Sequence, residues 1–124
     1  MCGFVGMVSL SESKTINNKD LELMSNKIRH RGPDSRGYWI NYKHNVGLAH
    51  NRLSIVDTSP AGHQPMVSLC KRYVLAFNGE IYNHLNIRKE LDYLKPDKVW
   101  KGSSDTETLL ESISIWGIEK TLKK

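Results

Sequence analysis

Cysteine is scarce: Cys2 and Cys70 are the only two in 124 residues, and no C-x-x-C pair occurs. That scarcity excludes a disulfide-rich scaffold and a zinc ribbon, and a reducing cytoplasm is the compartment that fits. No apolar run approaches the ~20 residues that span a bilayer, and no basic stretch leads into a long apolar one at the start. Neither secretion nor a membrane partner is therefore expected. No G-x-G-x-x-G and no P-loop lysine motif follows a strand-like run, which removes the usual support for a nucleotide site. No His, Cys, Asp or Glu group has metal-ligand spacing, so no metal is expected. Aromatics are 8% of the chain and acidic residues are outnumbered, 13 against 18 Lys and Arg, for a net charge of +5. The basic residues are scattered except at Lys120 and Lys123-Lys124, the pattern of a solvated surface, and nucleic acid is not an expected partner.

With 39% hydrophobic and 25% charged residues the chain has the composition of a globular domain, and its length allows one. Residues 3–10, GFVGMVSL, read as a buried strand passing close to other backbone. Asn17 or Asn18 caps a helix in which Leu21, Met24 and Ile28 recur at helical spacing, and Gly32-Pro33 ends it. Short β-type runs follow at residues 37–40, 46–49, 53–56 and 73–77. Asn83 opens a helix with a stripe of Leu85, Ile87, Leu91 and Leu94. Ser103 or Ser104 caps a second helix over residues 105–116, with Leu109, Leu110, Ile113 and Trp116 on its apolar face and Gly117 as its stop. This order of elements predicts α+β packing around antiparallel sheets.

Cys2 is the first candidate for chemistry. Removal of Met1 would leave one residue holding both a thiol and a free α-amino group. Such an amine titrates near ~7.7–8.0 and a thiol near ~8.5, so nucleophile and base could share a residue. A small buried hydrophobe is the alternative. In FNGEIYNH, residues 77–84, Asn78 offers a side-chain amide and Gly79 an unobstructed N–H, suited to an oxyanion or merely to a hairpin turn. Arg52 suits a bidentate carboxylate clamp or a surface position. Asp105 suits an ammonium partner or a helix N-terminal acid. Cys70, at the end of a strand-like run, is expected to pack, and His50 and His30 to position loops.

Met1-Cys2-Gly3, RHRGPDS (29–35), LAHNRLSIVD (48–57), GHQPM (62–66), FNGEIYNH (77–84) and SDTE (104–107) stand in one order along the chain. Together they closely resemble the class II glutamine amidotransferase domain found at the N-terminus of glutamine-hydrolysing asparagine synthetases. The resemblance implies an N-terminal-nucleophile hydrolase fold, an αββα sandwich of antiparallel sheets, with residues 2–124 forming the N-terminal part of the glutaminase domain. It implies that Cys2 attacks the side-chain amide of L-glutamine, with Asn78 and the Gly79 N–H as oxyanion donors. Arg52 would clamp the α-carboxylate, while Leu53, Ser54, Ile55 and Val56 line the pocket and Asp105, helped by Glu80, meets the α-ammonium. Arg31 and Gly32 would orient the nucleophile. No cofactor is implied for these residues; ATP and Mg belong to the ATP-dependent synthetase domain, which is absent from this chain. A homodimer is compatible with the resemblance. The family domain carries further strands beyond the point matched by Lys124, so low activity is expected of the isolated chain. Alternative readings are a non-catalytic fragment or binding module, or the glutaminase half of an enzyme amidating a surface-polysaccharide sugar.

Overall fold

Strand β1 (Gly3–Val8), strand β2 (Ser35–Asn41) and strand β3 (Val46–Arg52) form an antiparallel sheet with β3 in the centre. The computed structural model describes residues 1–11, 15–54 and 58–124. Gly3 pairs with Asn51 and Val8 with Val46 on one side of β3, and Ser35 pairs with Arg52 and Asn41 with Val46 on the other. Helix α1 (Asn18–Lys27) lies against this sheet. Of the two candidate caps Asn17 is the one used, its side-chain oxygen accepting the Asp20 N–H at 2.9 Å. Ile16, Leu21 and Ala49 are the buried core here, with Val5, Met7 and Ile40 packed around them. Full burial of a leucine such as Leu21 contributes ~1.5–3 kcal/mol.

The helical stripe holds for Leu21 but not for Met24, which is exposed. Ser25 is the buried neighbour instead. Its hydroxyl donates to Asn51 Oδ1 at 2.7 Å, and the Asn51 side-chain NH₂ donates to the Ser25 carbonyl at 2.7 Å. A period of 3.6 residues marks which side of a helix faces inward, while the polarity of the partner strand decides what is accepted there.

These elements belong to a first unit comprising Met1–Ile55, His63–Pro65 and Ala76–Asn78. Its two short inserts lie beside β2 and β3. A Cβ on Gly37 would come within 2.0 Å of the Gln64 carbonyl oxygen, so the closeness of that approach requires glycine. The expected strand at residues 53–56 is not formed at Leu53 and Ser54, because β3 runs on through Arg52 and ends there; Ile55 and Val56 lie outside the described residues.

The second unit comprises Val56–Gly62, Met66–Leu75 and Gly79–Lys124. It contains a two-stranded hairpin of β4 (Met66–Val67) and β5 (Val74–Leu75), then helices α2 (His84–Leu94), α3 (Asp105–Trp116) and α4 (Ile118–Leu122). The strand expected over residues 73–77 is thus confined to two residues. Cys70 is exposed in the turn between β4 and β5 rather than packed. The turn is closed by Ser68 N–H donating to the Tyr73 carbonyl and Lys71 N–H to the Ser68 carbonyl. In α2 only Ile87 and Leu91 of the expected stripe are buried; Leu85 and Leu94 are exposed. Ser104 caps α3 through the Glu107 N–H at 3.1 Å, and Gly117 ends it. The inward face of α3 is largely polar, with Glu107 and Glu111 buried beside Leu110. Glu107 accepts the backbone N–H groups of Lys101 and Gly102 and pairs with Arg88, whose guanidinium lies 3.9 Å from the Trp100 ring centre. Glu111 accepts the Leu69 N–H and pairs with Lys98 at 3.1 Å. The molecule is α+β with antiparallel sheets, and among the described residues no helix is long and apolar enough to cross a membrane.

The exchange of Met24 for Ser25 in the core gives a direct test. Ser25→Ala leaves both its oxygen position empty and Asn51 Oδ1 unpaired in a buried site, and is expected to cost ~1–3 kcal/mol. Met24→Ala is expected to change stability by no more than about 0.5 kcal/mol. Urea denaturation of both variants checks the order.

Candidate active site

Because Gly3 pairs with Asn51, Cys2 comes to rest beside the chain as it leaves β3. Leu53 N–H donates to Cys2 Sγ at 3.3 Å, and the thiol is placed to donate to the Leu53 carbonyl at 3.5 Å. Arg31 Nε–H donates to the Cys2 carbonyl at 3.1 Å, so the guanidinium holds the main chain of the cysteine rather than its sulfur. Arg31 is held in turn by the short 3-10 turn Arg29–Arg31 that follows α1. Gly32 lies against β3: a Cβ there would stand 2.2 Å from the Asn51 carbonyl oxygen, a clash with backbone that cannot be relieved by a rotamer change.

Arg52 is buried at the end of β3. Its carbonyl accepts the Asp34 N–H at 3.0 Å, and the Asp34 carboxylate accepts the Ser54 N–H at 2.7 Å. Asp34 thus pins the segment after β3 from both sides. The sequence alone assigns Asp34 no role, although an Asp directly after a proline that ends a helix is a signal that could have found it. The backbone of Leu53 and Ser54, expected to line a pocket, is engaged with Cys2 and Asp34.

Asn78 is exposed and lies in neither a helix nor a strand. Phe77, before it, is bonded through both backbone polar groups. Its N–H donates to Gln64 Oε1 at 2.6 Å, and its carbonyl is 3.1 Å from His50 Nε2. A carbonyl only accepts, so the His50 proton sits on Nε2. Burial pushes the His50 pKa below its ordinary value; the bond to Phe77 opposes this, and the neighbouring Arg52 and His63 add to the lowering. Gln64 is another residue to which sequence reasoning gave no role.

Gly79, Glu80 and Asp105 belong to the second unit, where Gly79 and Glu80 are exposed. Asp105, in the first turn of α3, is buried and its carboxylate accepts the Ile81 N–H at 2.9 Å and the Thr106 hydroxyl at 3.4 Å. Among the described residues no group of three or more His, Cys, Asp and Glu side chains is placed to hold a metal ion.

The lowered pKa of His50 has a sign that can be tested. The unfolded imidazole takes up a proton near pH ~6.5, while the folded one resists it, so the unfolded state binds more protons as pH falls below that value. The stability this confers is complete above about pH 6.5 and is lost progressively towards the lower folded pKa. Urea midpoints measured between about pH 7 and pH 5 are expected to decline, and to decline less in His50→Gln, which cannot titrate.

The chain matches the model of the glutamine amidotransferase domain over residues 1–124. It is 40% identical over 112 residues to asparagine synthetase [glutamine-hydrolyzing] 1 of Bacillus subtilis (strain 168), covering 89% of this chain and 17% of that protein. It is 46% identical over 91 residues to asparagine synthetase B [glutamine-hydrolyzing] of Escherichia coli (strain K12), covering 73% of this chain and 16% of that protein. It is 33% identical over 119 residues to asparagine synthetase [glutamine-hydrolyzing] 1 of Arabidopsis thaliana, covering 96% of this chain and 19% of that protein. The chain therefore spans less than a fifth of these relatives' length. A match along its whole length, added to a cysteine held by the backbone at the end of β3, makes this chain a member of the glutamine amidotransferase domain family.

Proposed function

We propose that this chain hydrolyses L-glutamine to glutamate and ammonia through a thioester on Cys2. The single observation that carries the reading is the seat of the Cys2 sulfur against Leu53, next to the buried Arg52, in a chain of this family. After Met1 is removed, the α-amine of Cys2 takes the thiol proton as the sulfur attacks the amide carbon of the glutamine side chain. The negative charge that develops on the amide oxygen is met by the Asn78 side-chain NH₂ and the Gly79 N–H. The C–N bond then breaks, the nitrogen leaves as ammonia with the proton the amine had taken, and a thioester remains. Water attacks that thioester, its proton returns to sulfur, and glutamate is released.

Arg52 clamps the α-carboxylate of glutamine, Asp105 with Glu80 attracts its α-ammonium, and Leu53 and Ser54 line its pocket. Arg31 and Gly32 orient the nucleophile, a role supported by the bond from Arg31 to the Cys2 carbonyl and by the contact of Gly32 with β3. The full fold in this reading is the N-terminal-nucleophile αββα sandwich, supported by the antiparallel sheets and the family match. The names of the relatives support a larger role: ammonia supplied to the ATP-dependent amidation of aspartate by a synthetase domain of the same protein. In that role ATP and Mg are used by residues other than these.

The test is made on the full-length gene product that carries these residues. Glutamine is expected to yield ammonia, and diazo-oxo-norleucine to add to Cys2 of the Met1-free protein, as read by intact mass and peptide mapping. Cys2→Ala should reduce ammonia release to background. Asn78→Ala is expected to lower kcat by ~10²–10³. Arg52→Lys, which keeps the charge but not the bidentate fork, should raise KM for glutamine more than it lowers kcat. Ammonia release that survives Cys2→Ala, or a Met1-free folded protein that forms no adduct, overturns the reading.

A further inference from the structure

We propose that His50 and Gln64 are positioning residues that clamp the two backbone polar groups of Phe77 and thereby aim the side chain of Asn78. The proposal rests on the glutaminase reading, in which Asn78 is an oxyanion donor. Asn78 needs such a device because no strand ladder or helix fixes it: β5 ends at Leu75 and α2 begins at His84. A donor that drifts loses most of its worth, since its advantage lies in being oriented before charge develops.

Each peptide unit is planar, so holding the carbonyl oxygen of Phe77 places the Cα of Asn78, and holding the Phe77 N–H places the preceding plane. With both planes held, the two soft torsions of Phe77 are no longer free. The donor to the carbonyl, His50 Nε2–H, and the acceptor of the N–H, Gln64 Oε1, come from side chains that are 1% and 6% exposed. Their own mounting is rigid. His50 lies in the central strand with Phe4 paired on one side and Gly37 on the other. The Gln64 backbone lies so close to Gly37 that no side chain fits between them. The other ring nitrogen of His50, Nδ1, is buried and has no hydrogen-bond partner among the described residues. A ring retained at that cost is explained by its bond to Phe77.

The test uses glutamine hydrolysis by the full-length gene product, with His50→Leu (no donor), His50→Asn (an amide too short to reach Phe77), His50→Gln (an amide of sufficient reach) and Gln64→Met (no acceptor). His50→Leu, His50→Asn and Gln64→Met are each expected to lower kcat by about 10²-fold, the scale of an ångström-size misplacement, with KM for glutamine changed by no more than about twofold. His50→Gln should recover most of the loss. Cys2 alkylation by iodoacetamide, which builds no oxyanion, should keep its rate in every variant. In an Asn78→Ala background, where the side-chain donor that the clamp aims is gone and only the Gly79 N–H remains, His50→Asn should have no further effect on kcat. A wild-type kcat in His50→Asn and Gln64→Met, a full additional loss in the Asn78→Ala background, or an equal fall in the alkylation rate each overturns the clamp while leaving the glutaminase reading intact. A wild-type protein that releases no ammonia from glutamine overturns that reading and the clamp with it.

Discussion

Three consecutive polar side chains, His50, Asn51 and Arg52, are buried at the end of the central strand of the first unit. Polar groups removed from water cost ~1–3 kcal/mol each unless they find partners, and this requirement organises what surrounds β3. Successive side chains of a strand point to opposite faces. Asn51 is therefore answered on one face by Ser25 of α1, and His50 on the other by Phe77. The helix and the segment leading to Asn78 are drawn to the same strand from opposite sides. The backbone of that strand's end completes the arrangement, with Arg52 and Ser54 tied to Asp34 and Leu53 tied to Cys2.

The second unit solves a similar problem with charge. The inward face of α3 carries Glu107 and Glu111, and their partners are backbone N–H groups together with Arg88 and Lys98. Trp100 receives both cations against its ring. Buried ion pairs contribute little net stability against apolar packing of the same volume, yet removing one partner is costly, so such a network fixes how α2 and α3 meet. The start of α3 is thereby held, and with it Asp105 and the Ile81 backbone that it binds. Both units place a site residue by satisfying buried polar atoms more than by filling an apolar core.

This explains which parts were legible beforehand. The start of α1 at its Asn17 cap and the bounds of α3, from Ser104 to Gly117, agree with the reading from sequence, because capping involves residues within about four positions of each other. The six ordered motifs likewise led to the family that the full-length match supports. Hydrophobic spacing did less well. It assigned Met24, Leu85 and Leu94 inward positions that they do not take, and it placed Cys70 in packing when it lies in an exposed turn.

Local chemistry was thus sufficient for the type of most main elements and for most of their caps, and it singled out Cys2, Arg52, Asn78 and Asp105 as candidates. Only the folded chain decided that Ser25 replaces Met24 in the core, that Arg31 holds the main chain of Cys2, that Asp34 and Gln64 support the segments on which those residues sit, and that the segment held by His50 is the one at Phe77. The reason is distance along the chain: Cys2 meets Leu53 across 51 residues, His50 meets Phe77 across 27 and Asn51 meets Ser25 across 26. Spacing rules act over a turn or a pleat, whereas a buried polar atom takes whichever partner the sheet register brings to it.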